Sequence, residues 1–193
     1  MAYSFLSLLG SLAATLLLLN FEGNEPYPNI GENYYDLRDS ILFLGTKEFY
    51  LIAVITLLFL SLFRNKKLIL TISYTSLWLI VVYYCKKILA RDTIANGGGF
   101  FQEIDYGLLP SGHSIVYLFT AQLIFIFLND KIDNNSILLL IKSILVLGFI
   151  LLSLSLVGSN YHYISDITAS IALFVFSNII YKYFLGKIIY KRA

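Results

Sequence analysis

Cysteine occurs once in these 193 residues, at Cys85, so the chain can form no internal disulfide and has no cysteine cluster for a metal. Charge is scarce too: 13% of residues are Asp, Glu, Lys or Arg, and the formal net charge is +2. A balance this small says little by itself, and no nucleic-acid partner is expected. Proline occurs three times and histidine only twice, at His113 and His162.

Apolar residues make up 58% of the chain, with a mean hydropathy of +0.76. They gather in six runs: Ser4–Asn20, Phe49–Phe63, Leu68–Cys85, Ser114–Leu128, Ser136–Val157 and Ile167–Leu185. A soluble core does not need runs this long, whereas a membrane helix needs about 20 apolar residues to cross about 30 Å of hydrocarbon. Several runs fall a little short, which interfacial tyrosines such as Tyr34, Tyr35, Tyr83 and Tyr84 or tilted neighbours can accommodate. The expectation is an all-α bundle of six transmembrane helices forming one domain over residues 1–193. The first run is expected to be a retained helix, because Met1-Ala2-Tyr3 carries no basic residue and no small-residue cleavage pattern precedes Phe21.

The connections alternate in charge. Residues 22–48 hold six acids against Arg38 and Lys47, whereas Arg64-Asn65-Lys66-Lys67 is basic. Basic short connections favour the cytoplasm. This puts the turns at 64–67 and 129–135 and both termini on the cytoplasmic side. The histidine-bearing connections, Lys86–His113 and Gly158–Asp166, then share the opposite face. Lys86, Lys87 and Arg91 break the charge bias there, either to grip a phosphate or to snorkel at the headgroups. Gly97-Gly98-Gly99 follows no strand and does not support a dinucleotide site.

Both histidines sit in short polar motifs. Pro110-Ser111-Gly112-His113 precedes an apolar run and reads as a helix start. First-turn amides and the positive end of the helix dipole favour an anion there, with Ser111 and Gly112 as donors. The same run also fits a capped helix whose histidine merely sits at the interface. His162 and Asp166 are four residues apart, so on a helix they share a face. The carboxylate would then fix the ring tautomer and leave the other nitrogen to attack. Alternatively, the pair closes a loop. An acid this close to a membrane span needs a partner in either case.

These residues resemble the type 2 phosphatidate phosphatase superfamily of membrane lipid phosphatases and phosphotransferases, whose pattern is K-x6-R-P, then P-S-G-H, then S-R-x5-H-x3-D. Residues 110–113 match the second motif in full, and Ser155, His162 and Asp166 fall at third-motif spacing. Leu156 stands where that motif has arginine, and neither Lys86 nor Lys87 is followed at the required distance by Arg-Pro. The His162–Asp166 run is also similar to the sphingomyelin-synthase-like branch. The resemblance implies a metal-independent hydrolase without cofactors. In it His162 would form a phosphohistidine, Asp166 would orient it, and His113 would protonate the leaving oxygen and then activate water or an alcohol. Ser111 and Gly112 would bind phosphate, with Arg91 and Lys86 or Lys87 as candidates for the missing cation. The expected partners are a membrane lipid phosphate and the bilayer itself, in a bacterial inner membrane with the site on its outer face. Alternatives are a phosphotransferase acting on a lipid alcohol, and a non-catalytic lipid-binding scaffold.

Overall fold

The computed structural model describes residues 40–61, 65–94, 110–158, 162 and 164–190, without side-chain detail at 85–94, 158 and 184–190. The run Ser4–Asn20, the acids before Ser40, Arg64, the glycines at 97–99, Tyr161 and Tyr163 lie outside the described residues. Five helices follow in order: α1 (Lys47–Ser61), α2 (Lys66–Ile94), α3 (Gly112–Asn129), α4 (Asn135–Gly158) and α5 (Ile164–Tyr190).

Each of the first four begins at a polar cap that supplies an acceptor for otherwise orphaned amides. Thr46 Oγ1 accepts from Phe49 N at 3.3 Å at the head of α1. Asn65 Oδ1 accepts from Leu68 N at 2.9 Å before α2. Ser111 Oγ accepts from Ser114 N at 3.3 Å before α3. Asn134 Oδ1 takes Ser136 N and Ile137 N at 2.9 and 3.2 Å before α4. Four helices are long and apolar enough to span a membrane: 66–84 of α2, α3, 135–157 of α4 and 164–183 of α5. The 15 residues of α1 reach only about 22 Å at roughly 1.5 Å per residue. The expected six spans therefore stand at four among the described residues, with the first run outside them.

The helices α2 and α5 outrun the apolar runs that announced them. Residues Lys86, Lys87 and Arg91 lie within α2, not in a loop as expected. Lysine, leucine, alanine and arginine are all good helix formers, and basic residues suit a helix C-terminus.

The central helix is α3, which packs against α1, α2, α4 and α5, while α2 also meets α5. Its inward residues Ile115, Phe119 and Leu123 are fully buried or nearly so, and they join Tyr50, Leu57, Leu68 and Val82 in one cluster. A second cluster joins Tyr117 to Leu152, Leu156 and Ile167. The outer face of α4 is apolar and uncovered at Leu139, Leu140, Ile144, Leu147, Ile150 and Leu154. Lipid tails are as apolar as leucine, so such a face costs nothing in a bilayer and holding the helices together falls more to packing and polar contacts. Those contacts are present. Tyr50 Oη meets Thr75 Oγ1 at 2.8 Å, Thr71 Oγ1 meets Tyr181 Oη at 2.7 Å, and Gln122 Nε2 donates to Asn178 Oδ1 at 2.8 Å.

The head of α2 and the end of α3 meet at one end of the bundle. Asn65 Nδ2 and Lys67 Nζ both reach the Asp130 carboxylate, at 3.0 and 3.3 Å. The heads of α3 and α5, with their histidines, lie at the other end.

Candidate active site

The head of α3 is built around Ser111. Its backbone is extended (φ −62°, ψ 121°), its side chain is fully buried, and its hydroxyl caps the helix. The hydroxyl expected to bind phosphate thus serves the helix start, and Ser111 is not among the residues lining the cavity described below. Gly112 and His113 follow in the first turn and do line it.

His162 stands just before α5, outside the helix that holds Asp166 in its first turn. Its Nδ1 lies 3.1 Å from Asp166 Oδ2, and both side chains are buried, at 6% and 1% exposure. The amide of His162 donates to the Leu156 carbonyl at 3.4 Å. Leu156 itself is fully buried in the second core cluster and does not face the cavity. An arginine there would have to bury its charge among Tyr117, Leu152 and Ile167.

Backbone bonds tie the two histidine segments together. Ser111 N donates to the Asp166 carbonyl at 3.1 Å. Ser170 Oγ reaches the Asp166 carbonyl at 2.8 Å and the Ser111 carbonyl at 3.1 Å, from a fully buried position. Sequence reasoning missed Ser170, although its spacing of four from Asp166 places both on one helical face. The result is a fixed frame in which the rings of His113 and His162 stand 6.3 Å apart between centroids, inclined at 65°.

These rings border a cavity of about 510 Å³. Leu79, Val82 and Tyr83 of α2 and Ile115 and Val116 of α3 form its apolar wall, and Gly45, Thr46, Lys47 and Glu48 close another side. Gly45 is buried against the head of α3 so tightly that a Cβ there would lie 2.7 Å from His113 Cβ and 2.8 Å from its carbonyl oxygen. Only glycine lets the turn before α1 approach that closely. The structure thus brings together His113, His162, Asp166 and Gly112, and adds Gly45–Glu48, which the sequence did not mark as a site. It places Lys86, Lys87 and Arg91 on the last turns of α2, where their side chains are not described.

An imidazole held by a buried carboxylate, facing a second imidazole across a cavity with one apolar wall, can attack, hold and release a group while the second ring moves protons. The family model described as the PAP2 superfamily matches residues 85–189, more than half of the chain. Comparison with curated proteins and with solved structures found no match.

Proposed function

The chain belongs to the PAP2 superfamily, and from that membership together with the paired imidazoles we propose that it is an integral membrane phosphatase that cleaves a lipid phosphomonoester or diphosphate. The observation that carries this reading is the buried 3.1 Å contact of His162 with Asp166, set 6.3 Å from the ring of His113. With Nδ1 engaged by the carboxylate, Nε2 of His162 is the nitrogen left to attack phosphorus. The lipid alkoxide departs with a proton from His113, leaving phosphohistidine. His113, now neutral, takes a proton from water, whose oxygen attacks phosphorus and frees His162 and inorganic phosphate. Asp166 holds the ring orientation and offsets the positive charge on His162 while it carries phosphorus. The apolar wall of Leu79, Val82, Ile115 and Val116 suits the acyl or prenyl part of the substrate.

The test is phosphate release from a panel of phospholipid monoesters and polyprenyl diphosphates in detergent. His162→Ala is expected to abolish turnover and the acid-labile phosphoenzyme. His113→Ala should slow formation or breakdown of that adduct by about 10²–10⁴-fold. Unchanged turnover in the purified His162 variant sinks the mechanism.

A second reading rests on Leu156, an uncharged residue where the third motif has arginine. In it the chain transfers the phosphoryl or phospho-headgroup from His162 to a lipid alcohol. Adding an acceptor alcohol separates the two, because a transferase releases no phosphate without one.

A further inference from the structure

We infer that Lys47 is the cation that holds the phosphate group of the substrate in this site. The inference rests on the phosphoryl-transfer reading above and adds to it a residue outside the matched region. Phosphoryl transfer through histidine spreads negative charge over the oxygens that neither attack nor leave, and a cation or aligned dipole must meet that charge. Leu156 cannot supply it, because its side chain carries no charge and is buried in the core.

Among the described residues, Lys47 is the only lysine or arginine lining the cavity that His113 and His162 border. Its place is set by backbone, not by chance proximity. Gly45, two residues earlier, presses on His113 so closely that the turn and the head of α3 hold one another in register. Thr46 then caps α1, so Lys47 opens a 15-residue helix whose positive end adds to its charge.

The ammonium is also available. Its side chain is 90% exposed, and its carboxylate contact is with its neighbour Glu48, at 3.8 Å and itself exposed. An exposed pair of this length contributes little, so a phosphate dianion can displace Glu48 as the partner. A flexible four-carbon stem with three donors suits a group whose charge is redistributed during reaction. Lys47 moves no proton; it binds oxygen. Glu48 also lines the cavity, and its negative charge opposes the same ligand.

The experiment uses the full chain in detergent, with steady-state turnover and direct binding of inorganic phosphate followed by ³¹P line broadening. Lys47→Gln is expected to raise KM and to weaken phosphate binding about tenfold or more, with a much smaller effect on kcat. Lys47→Arg should retain most of the affinity, and Glu48→Gln should tighten it, a response that a merely structural lysine would not produce. Unchanged KM and phosphate affinity in Lys47→Gln overturn the assignment and leave the phosphatase reading standing. No turnover on any lipid phosphate, with phosphate binding still weakened by Lys47→Gln, keeps the assignment and sinks the phosphatase. Failure of the wild-type chain to bind phosphate overturns it as well.

Discussion

At the scale of single residues, the site depends as much on a missing side chain as on those present. Gly45 meets the Cβ, Cα and carbonyl oxygen of His113, not the tip of a movable side chain, so an added methyl must displace the head of α3. Gly45→Ala is therefore expected to lower kcat by about 10²-fold, the scale of a 1 Å misplacement of a reacting group. Helical content measured by circular dichroism should stay intact, and wild-type kcat in that variant would show that His113 tolerates the shift. The pairing of His162 with Asp166 was legible in the sequence because four-residue spacing is local information, and His113 because it follows a readable helix start. Gly45 and Lys47 were not, because the approach of Gly45 to His113 and the place of Lys47 on the same cavity are long-range features that no local pattern encodes. Ser111 was half legible: its place at a helix head was readable, but the capping use of its hydroxyl was not.

Among the helices, the apolar runs located α1 to α5 to within a few residues in most places. They failed at the end of α2, where Lys86, Lys87 and Arg91 continue the helix. Hydropathy stops at the charges, whereas helix propensity does not. Runs of leucine and isoleucine also say nothing about which helix is central. That is set by side chains such as Phe119 and Leu123, which are fully buried, and by hydrogen bonds within the bilayer. The Gln122–Asn178 bond joins α3 to α5 midway along their length. Asn178→Leu removes the acceptor for Gln122 Nε2 and should destabilise the bundle by about 1 kcal/mol, the usual scale for such bonds in membranes. A thermal melt in detergent that matches wild type would show that Gln122 finds another partner.

For the whole molecule, two ends of different character emerge. Asn65, Lys67 and Asp130 close one end, and the histidines, Gly45 and Lys47 occupy the other. If basic turns stay cytoplasmic, the end that holds the histidines faces outward. In a Cys85→Ser background, an impermeant maleimide added to intact cells should label Glu48→Cys and spare Lys131→Cys, and the reverse pattern would invert the orientation. The bonds from Ser111 and Ser170 to the Asp166 segment have a mechanical consequence. They couple the two imidazole-bearing segments, so that a displacement at the head of α3 is passed to the head of α5. The turn that carries Gly45 packs on the head of α3, so it is held by the same coupled unit.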